Sequence, residues 1–337
     1  MVNIMALLTD IAISGFAGLA PTPVEAVAIR KYLVRNQLFN LLHFVNIGMG
    51  SNIGNIQTTI VTYDAPDSAE FRRIGEEYEV SNSEPKYVTL TLKLLGKEFS
   101  TDRALAKAFS NNESALDNWT DAQIAEKINS VINAFCKYFI QGNSTTDAKQ
   151  FDGLQVYFTK HAGQKNDTPL TLVGGLTQAN ALSVEQFMNE AIAKVVDAPT
   201  CVLTTRLKGK PFLQAVESNR GRGYAKVKVG DLEYNSFMGL PIVALEDADF
   251  PAEMTDLGIP FIFCKFAEVN GIRVAVPMNI AANAAAVIDI VRPRVGKDGA
   301  GDSVFVTKGG VELMCVPVIE DPYCAALCFV KETEAAG

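Results

Sequence analysis

The sequence predicts an α+β fold, and three stretches predict it. "YVTLTLKLL" alternates with the period of a half-buried strand, Val88, Leu90, Leu92 and Leu94 on one face and Tyr87, Thr89, Thr91 and Lys93 on the other. "TDAQIAEKINSVINAFCKYFIQG" carries Ile124, Ile128, Val131, Ile132, Phe135 and Phe139 at helical spacing, an apolar stripe along one face of a long helix. From about Leu170 to Ile290 helical and strand-like segments alternate, the pattern of an α/β layer.

Along the chain, residues 1–54 read as an arm. They are apolar but broken by Pro21 and Pro23, with a short helix expected over Val24 to Leu42 and a glycine-rich exit. A secretory signal is not expected, because the start is not basic and Asp10 interrupts the apolar run.

Residues 55–98 read as a hairpin whose strands flank 23 residues from Asp64 to Lys86. Structureless loops above ~12 to 15 residues are uncommon in compact domains and usually have a task. This one carries Asp64, Asp67, Glu70, Glu76, Glu77, Glu79 and Glu84 against Arg72, Arg73 and Lys86, with Phe71, Ile74, Tyr78 and Val80 as apolar anchors. A two-stranded ribbon is marginal alone in water, so the loop is expected to need a partner surface.

In residues 99–165 a short helix is expected at "STDRALAKAF". The long helix follows, opened by a capping box from Thr120 to Gln123 and stopped by Gly142. The polar "NSTTDAKQFDGL" then returns Phe151 and Leu154 to the interior. Residues 166–290 hold a helix expected from Ser183, with Gln186 completing its capping box. Strands at "TCVLTT", "AKVKV" and "LPIVALED" and a helix near "RLKGKPFLQAVES" come after it. Residues 291–337 are β-rich and return to a sheet.

Composition excludes several functions. A net charge of -8 argues against a dedicated nucleic-acid reader, whose affinity rests on Lys and Arg at phosphates. Six cysteines without CxxC spacing read as buried thiols of a reducing compartment. No apolar run reaches the ~18 residues of a membrane span. His43 and His161 have no clustered ligand partners, and Thr91 stands where a phosphate loop before Gly96-Lys97 needs its first glycine. The glycines of "VGKDGAGDS" fall in the wrong order for a dinucleotide fingerprint. Glu76 with Glu77 and Asp247 with Asp249 sit in polar stretches where acid-base tuning is not expected. The one basic concentration, Arg220, Arg222, Lys226 and Lys228, reads as a solvated loop and strand or as a subunit or nucleic-acid contact.

Taken in order, these parts resemble the major capsid protein of tailed phages, the Hong Kong 97-type fold. The resemblance runs from about Leu38 onward. It is most specific where "AEFRRIGEEYEVSNSEPKYVTLTLKLLGKEFSTDRAL" is followed by the long helix and "GNSTTDAKQFDGL". It implies that the charged hairpin is an E-loop, the long helix the spine of a P-domain, and the α/β region an A-domain. It further implies a non-enzymatic shell subunit, without cofactor, metal or membrane, that self-assembles into the pentamers and hexamers of an icosahedral head around non-specifically held DNA.

Under that resemblance Phe71, Arg72, Arg73, Ile74, Glu76, Glu77 and Tyr78 contact a neighbour from the E-loop, and Leu8, Ile11 and Phe16 do so from the arm. Ile124, Ile128, Val131, Phe135 and Phe139 form the spine-helix core. The implied partners are copies of the chain, a portal, decoration proteins, and a scaffolding protein expected as a separate chain because little room precedes the E-loop. The implied setting is the virion, assembled in host cytoplasm. The family's Lys-to-Asn cross-link does not carry over, since the hairpin tip bears Arg72 and Arg73 and its lysine, Lys86, stands at the loop's end. An encapsulin-like nanocompartment shell is the nearest alternative, and a soluble α/β enzyme using the loop as a lid is the alternative of another class.

Overall fold

The computed structural model describes residues 36–47, 57–62, 71–77, 86–102, 113–223, 225–229, 232–277, 288–291 and 306–333. Its axis is helix α2, Glu113–Gln141, which at about 1.5 Å per residue spans roughly 44 Å. Ile124, Ile128, Val131, Ile132, Phe135, Phe139 and Ile140 all lie at 2% exposure or less, so the helix buries one continuous face. Each such side chain contributes about 1.5 to 3 kcal/mol on burial.

The helix begins at Glu113, not at the expected capping box. Thr120 lies inside it and is itself buried, and the Trp119 ring meets Phe99 edge-on at 6.5 Å. Tertiary packing has extended the helix past a local start signal. At the other end Gly142 stops it as expected, for a steric reason. A Cβ there would sit 2.4 Å from the Phe151 carbonyl oxygen and 2.5 Å from that of Tyr138. The returning chain crosses at this point, with Gly153 N donating to Gly142 O at 2.8 Å.

Short helix α1, Gln37–Leu41, lies within the expected arm yet packs on the body, with Leu38 and Phe39 wholly buried. The Asn36 side chain accepts from Phe39 N at 3.1 Å and donates to Cys136 Sγ at 2.9 Å, tying the segment to α2. Phe39 meets Phe135 edge-on at 5.5 Å, and Phe135 also touches Phe139 and Phe151. Residues 24–35 of the expected helix are outside the described residues.

One sheet is organised on a long strand, β13, Val306–Ile319. Strand β4, Lys93–Asp102, runs antiparallel to it from Val306↔Asp102 to Cys315↔Lys93. Strand β12, Ile288–Val291, pairs with β13 at residues 310–313, and β11, Ile272–Pro277, at residues 316–319. β1, Phe44–Ile47, is parallel to β11. Ser100, Thr101 and Asp102 thus end a strand where a short helix was expected, and residues 103–109 of that helix are outside the described residues.

The second sheet has seven strands in the order β5-β14-β10-β6-β9-β8-β7. These are β5 Leu170–Val173, β6 Cys201–Thr205, β7 Lys226–Val229, β8 Leu232–Phe237, β9 Leu240–Leu245, β10 Ile259–Cys264 and β14 Ala325–Thr333. β6 and β10 are buried at every residue because both faces are covered. One face takes helices α4, Ala181–Ile192, and α5, Gly209–Asn219, through Val184, Met188, Phe212 and Leu213. The other face presents Leu203, Ile262, Leu327 and Phe329 to the core around α2. Between the two cores, α3, Leu154–Lys160, places the Tyr157 hydroxyl 2.7 Å from the Pro322 carbonyl oxygen, which it donates to.

α4 starts at Ala181, two residues before the expected Ser183 capping box. Ala181 is fully buried, and the Thr177–Asn180 turn, with Thr177 N donating to Asn180 Oδ1 at 2.8 Å, launches the helix earlier. Sheet membership also cuts across the linear segments. β11 and β12 belong to the β13 sheet, whereas the tail sends β13 to one sheet and β14 to the other. Among the described residues no helix is long and apolar enough to cross a membrane.

Phe135 is wholly buried among three aromatic rings. Phe135→Ala is therefore expected to cost about 3 to 5 kcal/mol, measured by denaturant unfolding. A cost below about 1 kcal/mol would show that α2 is not the core's organising element.

Candidate assembly interface

Strands β2, Gln57–Thr62, and β3, Lys86–Thr91, form the expected hairpin, in register from Gln57↔Thr91 to Thr62↔Lys86. Among the described residues they make a sheet of two strands. The alternation expected through Leu94 breaks at its base. Leu92 is the pivot, 5% exposed, and after it the chain enters β4 on the β13 sheet. Val88 and Leu94 are 40% and 59% exposed, while Leu90 and Leu95 are the ones packed against the core. The reason is the change of partner, since a strand that leaves one ladder for another need not keep one face inward. Lys93 Nζ donates to Ala148 O at 2.6 Å and braces the base against the loop following α2.

At the described tip the chain makes a turn. Glu76 N donates to Arg73 O at 3.1 Å, and Gly75 takes φ +98°, a left-handed value that favours glycine. Arg73 N donates to the Glu76 carboxylate at 3.1 Å, and the Arg72 guanidinium donates to Glu76 O at 2.9 Å. Arg72 and Glu76 thus work inside the turn. Phe71 and Ile74 do not: they are 108% and 105% exposed. Arg73 and Glu77 are exposed beside them. Tyr78, and Leu8, Ile11 and Phe16 of the arm, lie outside the described residues. Ile124, Ile128, Val131, Phe135 and Phe139 sit together beneath the β13 sheet.

The expected basic concentration is half absorbed within the chain. Glu185, on α4, accepts from Arg220 Nε at 2.7 Å and from Arg222 Nη2 at 2.5 Å, and Glu217 pairs with Arg222 Nη1 at 3.5 Å. Lys226 pairs with Glu233 at 3.2 Å. Sequence reasoning missed Glu185 and Glu217. The available signal was an acidic residue between Val184 and Met188 on an apolar helix face. Hydrogen bonding from Arg222, helped by Arg220, outweighs burial and holds the Glu185 carboxyl below its ordinary value.

The other polar candidates have local duties. Asp247 accepts from Leu207 N at 3.1 Å and Asp249 from Glu246 N at 3.1 Å, so this carboxylate pair caps loops; burial raises Asp249. The ring of His161 stacks near Tyr157 at 4.9 Å, and burial lowers its pKa. All six cysteines are free and buried, as the sequence implied, and burial pushes the Cys136, Cys324 and Cys328 thiols up to about 12.

An α2 spine on a sheet shared by hairpin base and tail, beside a seven-stranded α/β layer, is the Hong Kong 97-type fold, α+β as the sequence predicted. The solved structures that share it include the holo-SrpI encapsulin complex of Synechococcus elongatus, at 14% identity and TM-score 0.54, covering 100% of this chain and 98% of that one. A chain of Mycobacterium phage Bobi matches at 11% identity and TM-score 0.52, covering 90% and 91%. A chain of Mycobacterium phage Adephagia matches at 10% and 0.50, with the same coverage. At these identities the likeness is one of fold. No family model matches the sequence, and no curated protein matches it.

The Glu185 cluster gives a pH dependence. A carboxyl depressed in the folded state stabilises fully above its ordinary value of 4.5, and that stability is lost as pH falls through the depressed value. The wild type should exceed Glu185→Gln in urea midpoint at pH 7, and the gap should close below pH 4.5. A gap constant from pH 7 to pH 3 would contradict the pairing.

Proposed function

We propose that the chain is the structural subunit of a closed protein shell, the major capsid protein of a phage head. The observation that carries this reading is the hairpin tip. Phe71 and Ile74 stand wholly in water at the end of a two-stranded ribbon that no third strand supports among the described residues. Exposed apolar anchors on a marginal ribbon fit a surface completed by another copy. Head-to-tail contacts of this kind close into rings, and rings of five and six tile an icosahedral shell.

On this reading Phe71 and Ile74 provide most of the contact. Arg73 and Glu77 add exposed pairs of about 0 to 1 kcal/mol each. Tyr78, and Leu8, Ile11 and Phe16 of the arm, extend the contact to the neighbour. The acidic total suits a container that encloses DNA without gripping it. A separate scaffolding chain, a portal and decoration proteins are the partners of such a head, which assembles in host cytoplasm and ends as a virion. The reading is non-enzymatic.

A second reading has its own support: the encapsulin structure covers the whole of this chain. A nanocompartment would enclose an enzyme instead of DNA. Genes for a portal and terminase beside this one favour the head, whereas a lone cargo enzyme favours the nanocompartment.

Replacing residues 66–84 with an Asn-Gly turn should leave the monomer's helix content and melting nearly unchanged and abolish assembly in sedimentation velocity. Phe71→Ala with Ile74→Ala should act the same way, shifting monomer stability by no more than about 0.5 kcal/mol. Normal assembly of either variant rules the hairpin out as the inter-subunit clasp.

A further inference from the structure

The outer edge of the seven-stranded sheet, strand β7, is largely exposed. β7 is exposed at Lys226, Lys228 and Val229 and half-buried only at Val227. Among the described residues it pairs with β8 alone, through Lys226↔Asn235 to Val229↔Leu232. β8 is different, since Tyr234 and Phe237 are buried and pin it to the body. The loop that leads into β7 turns through two left-handed glycines, Gly221 at φ +74° and Gly223 at φ +67°. Behind it lies an open cavity of about 350 Å³ lined by Glu217, Arg222, Ala225, Met238 and Gly239.

Charge ties this loop down beside its backbone bonds, in which Arg222 N donates to Glu217 O at 3.0 Å and Ser236 N to Ala225 O at 2.9 Å. Glu185 and Glu217, 7% and 2% exposed, come from two different helices and meet the two arginines of the loop. Glu217 also accepts from Met238 N at 2.6 Å, so the same carboxylate fixes the β8–β9 turn. The charged groups facing one another here are Glu185 of α4, Glu217 of α5, and Arg220 and Arg222 of the loop.

We propose that Glu185 and Glu217, clamping Arg220 and Arg222, form an electrostatic lock that holds residues 220–229 on the sheet, and that opening it frees this segment while the rest of the sheet stays folded. Glycines on either side of Arg222 supply the hinge, and the open cavity behind the loop leaves it room to move. A buried carboxylate deprived of its arginine is unfavourable, so the lock is stable when closed. Released, β7 would uncover the edge of β8, a row of backbone donors and acceptors able to take up another strand. The lock therefore keeps that edge closed. The proposal concerns one chain and stands apart from the shell reading.

The test is backbone hydrogen exchange of the full chain at pH 7, read by mass spectrometry over residues 220–229, with β6 and β10 as internal references. In Glu185→Gln the 220–229 amides should exchange about tenfold faster or more than in the wild type, with β6 and β10 unchanged. Arg222→Gln should move them the same way, because it takes one arginine from Glu185 and the paired arginine from Glu217; its side chain is 41% exposed, so it decides the matter should Glu185→Gln not fold. Unchanged exchange at 220–229 overturns the lock. So does exchange that rises together across 220–229, β6 and β10, which would make the cluster a support of the whole sheet.

Discussion

Three remote parts of the chain meet on β13, and the rest of the structure depends on that pairing. Its first ten residues lie along β4, so the tail fixes the base of the charged hairpin. Other stretches of the same strand hold β12 and β11, and through β11 the segment at Phe44–Ile47. Helix α2 needs this sheet as the floor for its apolar face, since a stripe of eight nearly or wholly buried side chains cannot face water. A chain that must close so many contacts between residues near 95 and residues near 313 carries a large loop-closure cost. The aromatic contacts of Phe135 with Phe39, Phe139 and Phe151 help offset it.

The hairpin is what that floor projects. Lys93, Leu92 and Leu90 anchor its base, and beyond Leu90 the described ribbon is held by its own ladder. Its polar tip groups are already partly satisfied: Arg72 and Glu76 spend hydrogen bonds on shaping the turn. What stays unsatisfied is apolar surface at Phe71 and Ile74, with Val88 and Leu94 nearer the base. The hydrophobic effect is non-directional, so in the proposed contact such anchors would supply affinity and a preformed turn aim. That division of labour differs from a contact built on arginine-carboxylate pairs, which exposed geometry makes weak.

How much of this was legible in the sequence follows from the range of each interaction. The α2 face could be read because its spacing is local, and Gly142 because chain reversal at a helix end needs a residue without a Cβ. The helix starts could not. The signals at Thr120 and Ser183 are genuine capping patterns, but packing of the half-buried Trp119 on Phe99 and burial of Ala181 carried both helices past them. The alternation around Leu94 failed for a similar reason, a switch from β2 to β13 as the ladder partner that no local period records. The basic run at Arg220 read as a solvated loop and strand or as a contact surface, and its partner, Glu185, lies 35 residues earlier in the chain. At the proposed assembly surface, residue chemistry marked Phe71 and Ile74 as candidate anchors. That they remain in water follows only from the three-dimensional placement of the tip.

The most direct measurement is a cryo-electron microscopy reconstruction of the particles that the intact chain forms. The account predicts closed shells in which residues 71–77 lie against a neighbouring copy, with Phe71 and Ile74 buried between subunits. Tips folded back on their own subunit, or left in solvent within a closed shell, would contradict it.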